Sequence, residues 1–156
     1  MSDIIDSALD SLEFGLAVFP LGERDKRPVY AGGCRDATRS RQSVLNHWSR
    51  FPKHNYGIAT GTLSGIFVLD IDGLLGETSW QALCAKHGPP LPPTVTVITA
   101  NGRHLYFKTD GVLVGNTVGK LGPGIDVRGD GGYVVGAGSI HPSGHVYRYA
   151  NGEEVG

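Results

Sequence analysis

Cysteine is nearly absent: the 156-residue chain has two, Cys34 and Cys84, with no C-x-x-C spacing. That excludes a disulfide framework and a cysteine-based zinc site, so both are expected as free buried thiols. No apolar run approaches the roughly 20 residues that a membrane-spanning helix needs. No basic-then-apolar signal segment opens the chain either, so a cytoplasmic protein without membrane association is expected. Charged residues make up only 19%, and the net charge of −1 excludes a generic polyanion binder. The G-x-S-x-G elbow, the Walker P-loop and the G-x-G-x-x-G fingerprint are all missing, which removes serine-hydrolase, P-loop and Rossmann chemistry. What remains, with 40% hydrophobic residues, is a globular chain of single-domain length.

The most informative stretch is Ile66-Phe67-Val68-Leu69-Asp70-Ile71-Asp72-Gly73, an apolar strand ending in two carboxylates. Alternate residues of a strand share a face, so Asp70 and Asp72 project together at the rim of a core. Two like charges there are costly unless cations compensate them. Oxygen-only ligands suit Mg²⁺ or Mn²⁺, and a carboxylate pair can bridge two such ions. The same residues also suit a strand ending in an ordinary Asp-Gly turn.

Charge is uneven along the chain. Between Glu23 and Lys53 eight bases face three acids, a segment of +5 that leaves −6 for the rest. A basic flank beside an acidic cluster is what a phosphate-handling site needs, although a solvated surface of patchy charge gives the same pattern.

Periodicity predicts helices over Ser7–Leu16, Ser40–Trp48 and Thr78–Lys86, the first capped by Asp6 or Ser7. Strands are predicted at Ala17–Leu21, Tyr56–Thr60, the acidic stretch, Val95–Thr99, His104–Lys108, Ile125–Arg128, Tyr133–Ala137 and Val146–Tyr149. Gly22 to Arg35 reads as a loop, and Pro89 to Pro93 as a linker. About half of the 24 glycines follow Lys108, marking tight turns and close backbone approaches. The expected fold class is α+β, with helices packed on a mixed, largely antiparallel sheet.

Three further clusters carry candidate chemistry. His104 begins a strand after a sharp loop, with Tyr106 on its face; it can donate to a phosphate oxygen, and Arg103 adds fixed charge. Asp126 and Arg128 share a strand face, as a metal ligand beside a phosphate clamp or as a mutual salt bridge. Asp130 sits in a glycine-rich turn and reads as a turn former. Ser139 and His141 alternate onto one face and offer two neutral donors.

Taken in order, Val18-Phe19-Pro20-Leu21, Lys26-Arg27-Pro28, Gly57-Ile58-Ala59-Thr60-Gly61, Leu69-Asp70-Ile71-Asp72, Gly102-Arg103-His104-Leu105-Tyr106-Phe107 and Ile125 to Val135, with Ser139 and His141-Pro142-Ser143-Gly144, closely resemble one family. It is the bifunctional DNA primase/polymerase (prim-pol) domain of the archaeo-eukaryotic primase superfamily, found in plasmid, phage and prophage replication proteins, usually ahead of a helicase domain. The resemblance implies the superfamily's RRM-like catalytic core and two Mg²⁺ or Mn²⁺ ions held by Asp70, Asp72 and Asp126. It implies His104 as the phosphate-contacting histidine, with Arg128 and Lys26 as further nucleotide contacts and Ser139 and His141 on the nucleotide side. The motif commonly has serine two positions before the histidine, where this chain has Gly102. No zinc is expected, since the cysteines of a zinc stem are missing.

The function implied is primer synthesis or extension from NTPs or dNTPs on single-stranded DNA. A helicase domain is expected downstream or in trans, in a prokaryotic or phage-infected cytoplasm. Residues 1–156 are expected to form one catalytic domain, the N-terminal part of a longer replication protein. Two other classes fit some of the residues: a non-catalytic module binding template or helicase, and a DxD nucleotide-sugar glycosyltransferase.

Overall fold

The acidic strand lies at the centre of the architecture. In the computed structural model, which describes residues 3–90 and 94–150, the chain runs through α1 (Ile4–Glu13), β1 (Val18–Glu23), a 3₁₀ turn at Gly33–Asp36, α2 (Arg41–Arg50), β2 (His54–Ala59) and β3 (Ile66–Asp72). It continues through α3 (Gly73–His87), β4 (Thr96–Ile98), β5 (Gly102–Lys108), β6 (Thr117–Val118), β7 (Ile125–Arg128), β8 (Tyr133–Val135) and β9 (Arg148–Tyr149). The strands form two sheets, a three-stranded β1-β2-β8 and a six-stranded β6-β7-β3-β5-β4-β9. Every pairing is antiparallel. The α+β class expected from sequence holds, with two antiparallel sheets in place of one mixed sheet.

Alternation along β3 divides its side chains between two cores. Ile66 and Val68 join Tyr106 and Val97 against the small sheet and helices α1 and α2, where Phe19, Trp48, Tyr56 and Ile58 are buried. Leu69 and Ile71 turn the other way and join Leu105, Ile125 and Val127, with Trp80 and Leu83 of α3 packed against them. The strand is therefore covered on both faces along its apolar part, as its composition requires.

Element ends differ from the sequence expectation for local reasons. Helix α1 starts a turn earlier than predicted, with extended Asp3 rather than Asp6 or Ser7 at its N-cap. Ser40 does cap α2, its side chain accepting from Ser43 N at 3.2 Å, and that helix runs on to Arg50. The largest difference is at the acidic end, where α3 begins at Gly73 directly after Asp72, not at Thr78. Gly76 makes this possible: a Cβ there would stand 2.6 Å from Gly124 O, so only glycine lets the first turn of α3 lie on the entry to β7. The two-residue strand β6 went unpredicted. Cys34 and Cys84 are free as expected, but half-buried rather than buried. The Pro89–Pro93 linker and the terminal Asn151–Gly156 lie partly or wholly outside the described residues.

Gly102 is fixed by packing. It pairs with Asp72, and a Cβ there would sit 1.9 Å from Ile71 O. Serine, the residue usual in the resembling motif, would push β5 away from β3. Gly102→Ser is expected to lower stability by about 1–3 kcal/mol through overpacking, read as a fall in the urea midpoint at unchanged m-value.

Candidate active site

Register builds the site. Asp70 on β3 pairs with Asp126 on β7 and with His104 on β5. Directly paired residues project to the same face, so Asp126, Asp70 and His104 form one row across three neighbouring strands. The row stands on the face turned toward the small sheet, just beyond Val68 and Tyr106 of the main core. Arg128, two residues along β7, reaches back over the acids: its Nη2 is 3.2 Å from Asp126 Oδ2 and 3.7 Å from Asp70 Oδ2. Asp72 lies further along the same face at the N-cap of α3. It is exposed and makes no side-chain capping hydrogen bond.

Burial sets the protonation of this row. The Asp70 carboxyl is pushed above the usual range, first by desolvation, with Arg128 opposing and Asp126 adding to the rise. His104 has a side chain only 7% exposed. Desolvation, then the positive charges of Arg128 and Lys26, lower its pKa to about 4. Its Nε2 lies 3.6 Å from Asp70 Oδ1, yet a neutral imidazole at that distance is no salt bridge at neutral pH. Its Nδ1 is buried with no hydrogen-bond partner.

Asp70 and His104 open into a cleft of about 420 Å³ between the two sheets, lined also by Lys26, Asn116, Arg128, Gly131, Tyr133 and Tyr147, while Asp126 stands behind Arg128 outside that lining. Lys26 is delivered by the loop that follows β1. Asp25 Oδ1 accepts from Lys26 N at 2.7 Å and from Arg27 N at 3.3 Å, and Tyr133 Oη donates to Lys26 O at 2.8 Å. On the other side, Asp130 accepts from Thr62 N, Thr62 Oγ1 and Val114 N. Asn116 accepts from Gly129 N and donates to Asp130 O. Asp130 is thus the turn former expected. Asn116, Tyr133 and Tyr147 line the cleft without having been singled out in the sequence. Nothing in their spacing marks them, because each arrives from a different loop or edge.

Asp70, Asp126, His104, Arg128 and Lys26 come together. Ser139 does not join them: it is fully buried, its Oγ accepting from Tyr56 N at 3.1 Å. It serves β2 and does not line the cleft. His141 sits in a local turn, its Nδ1 accepting from Ser143 N at 3.0 Å, with its ring 6.2 Å from that of Tyr147. It feels the charge of Lys26 but does not line the cleft. Arg103 points to the α3 side, where Glu77 takes both its nitrogens at 2.9 Å. Strand alternation puts it opposite His104, so its charge does not reach the cleft.

The donor set fits a hard divalent cation: oxygen donors, two of them register-paired, one held above its normal pKa by burial without full compensation. Among the described residues, however, no group of three or more His, Cys, Asp or Glu is drawn together as a ready ligand set. The three-aspartate cage expected from sequence is here an Asp70–Asp126 pair bridged by Arg128, with Asp72 beside it. Mutual repulsion favours that arrangement, since the guanidinium offsets part of the charge of both carboxylates.

The sequence matches the Prim-Pol family (bifunctional DNA primase/polymerase, N-terminal) over residues 8–156. No curated protein matches the chain. Among the described residues no helix is long and apolar enough to cross a membrane.

The depressed His104 pKa has a signed consequence for stability. The unfolded chain takes up this proton near pH 6.5 and the folded chain only near 4, so stability is whole above about 6.5 and declines as pH falls toward 4. Asp70 works in the opposite sense, its stability contribution being present below its unfolded pKa and lost as pH rises through the elevated folded value. With EDTA present, the wild type is expected to lose up to about 3 kcal/mol through His104 between pH 6.5 and 4. His104→Asn should lose a visibly smaller amount; equal slopes in urea titrations would refute the assignment.

Proposed function

The chain belongs to the bifunctional DNA primase/polymerase family, and we propose that it is a nucleotidyltransferase domain making or extending primers from nucleoside triphosphates on single-stranded DNA. The observation that carries this reading is the register-paired row Asp126–Asp70–His104, of which Asp70 and His104 line a cleft together with Arg128 and Lys26. In the reaction the primer 3′-oxygen bonds to the α-phosphorus as the bond to the departing pyrophosphate breaks. Little covalent chemistry falls to the protein, which must align the groups and neutralise charge.

Asp70 and Asp126, with Asp72 alongside, are the residues to hold divalent cations. Two Mg²⁺ or Mn²⁺ ions, when bound, supply acidification of the attacking hydroxyl and neutralisation of the leaving group. His104 is kept neutral by burial and offers a ring N–H to a phosphate oxygen without placing a second fixed cation beside Arg128. Arg128 and Lys26 face the cleft as charge partners for the triphosphate. Arg128 also exchanges partners readily, because its contacts to the two carboxylates are single and part-exposed rather than bidentate and buried. Gly131 and Gly132 bring backbone to the cleft wall, Gly131 at a φ of +79° and Gly132 where a Cβ would stand 2.3 Å from Asn116 Oδ1. A nucleotide-sugar glycosyltransferase has no support in this family or fold. The helicase expected from the resemblance has none in the fold.

Asp70→Asn and Asp126→Asn are each expected to cut Mn²⁺-dependent primer extension by at least ~100-fold while leaving the circular dichroism spectrum intact. Asp70→Asn should also raise the melting temperature in EDTA, since it removes a desolvated charge, and abolish the rise that Mn²⁺ gives the wild type. Substantial extension by either variant would end the reading. Lys26→Ala and His104→Ala should act mainly on nucleotide use; an unchanged KM for dNTP in both would remove them from the site.

A further inference from the structure

A second cavity, of about 450 Å³, lies away from the acids between β1, the 3₁₀ turn and α2. Its wall is an aromatic cluster centred on His47. The His47 ring meets Tyr30 at 5.7 Å, Trp48 at 4.9 Å and Phe51 at 5.2 Å. Phe51 in turn stacks on His54, with centroids 4.7 Å apart and planes 4° from parallel. Trp48 is buried and holds the cluster to the core, but Tyr30 is 52% and Phe51 38% exposed. Fixed aromatic surface left open to solvent is what a stacking partner needs: the rings are already ordered, so little entropy is lost on binding.

Two further features define that partner. Arg50 lies 5.5 Å over the Phe51 ring, a guanidinium at the rim of the slot. The segment from Glu23 to Lys53, which builds most of the wall, carries +5 in a chain of net −1. The cavity is therefore aromatic inside, with Arg50 as its cationic lining residue and a basic segment around it, which matches a nucleobase with its phosphate. Asn46 and Asp36 supply polar groups at the base edge.

The slot and the acidic cleft are neighbours separated by one layer of side chains, with no lining residue in common. Phe19 lines the slot and meets the ring of Tyr133, a cleft residue, edge-on at 5.1 Å. Cys34 beside it donates to Gly131 O at 3.4 Å.

We propose that this slot receives one unpaired base of the single-stranded DNA template, stacked on Tyr30 and Phe51, with Arg50 on the adjoining phosphate. The inference rests on the polymerase reading for the identity of the strand, but it is tested by binding alone. The probe is a fluorescein-labelled oligothymidylate, with a fully abasic strand of equal phosphate number as control, titrated by anisotropy in EDTA. Wild type should bind the thymidylate roughly ten-fold more tightly than the abasic strand. Tyr30→Leu and Phe51→Leu should each lose most of that difference while binding the abasic strand unchanged, a double-mutant cycle that isolates stacking from charge. Tyr30→Phe keeps the ring and should retain it. Arg50→Gln should instead weaken both strands and reduce the salt slope by about one.

If the leucine variants weaken both strands equally, or wild type does not distinguish them, the proposal is overturned. It is also overturned if free thymidine monophosphate displaces the strand at comparable affinity, which would make the slot a mononucleotide site. An active Asp70→Asn enzyme would remove the polymerase reading while leaving these binding results in force. A dead Asp70→Asn enzyme with indifferent leucine variants would remove this inference alone.

Discussion

The antiparallel register of β7, β3 and β5 is the constraint on which everything else depends. It sets Asp126, Asp70 and His104 shoulder to shoulder, at the strand spacing of about 4.8 Å. Backbone hydrogen bonds on both sides of β3 leave no freedom to relieve the crowding by moving apart. Two carboxylates so placed need compensating charge, and Arg128 supplies part of it from the same strand as Asp126. A slip of one residue in either pairing would send a member of the row into the α3 core. Strand β5 pairs with β3 along its full length, and Gly102 allows the pairing to persist to the strand's end.

Around this rigid row the cleft is assembled from mobile-looking sequence made rigid by specific polar links. Asn55 is fully buried between two loops: it donates to Asp25 O and Ile140 O and accepts from Ile140 N. The loop presenting Lys26 is thereby fixed to the segment leading to His141. Asp130 and Thr62 join the turn before β8 to the turn before β3. Each such bond is modest in net energy, but leaving a buried partner unsatisfied would cost more. The result is a cleft whose walls come from both sheets, so the site depends on the sheets keeping their mutual position through the shared core of Tyr56, Val68 and Tyr106.

Elements governed by local rules were the most legible in sequence. The apolar run ending at Asp72 gave β3, and Ser40 gave the start of α2 by its capping chemistry. The alternation of Asp126 and Arg128 gave both their shared face and their contact. Where legibility failed, a distant partner had decided. Periodicity places the start of α3 only at Thr78, and its actual first turn holds two poor helix formers, Gly73 and Gly76; close packing of Gly76 against Gly124 overrides that preference. From their neighbours in sequence, Arg103 offers a fixed charge and Ser139 a neutral donor. Glu77 and the Tyr56 backbone, far away along the chain, claim them instead.

The sequence by itself determined the chemistry available: an acidic strand end, a histidine, an aspartate and an arginine at alternating positions, and a basic segment from Glu23 to Lys53. These are properties of residue type and short spacing, which need no knowledge of the fold. Only the tertiary structure decided which of them meet. Strand pairing, not spacing along the chain, brings Asp126 and His104 to the two sides of Asp70, and loop-to-loop hydrogen bonds deliver Lys26. Contacts between segments tens of residues apart are set by which surfaces can be buried together, and that is a property of the folded chain as a whole.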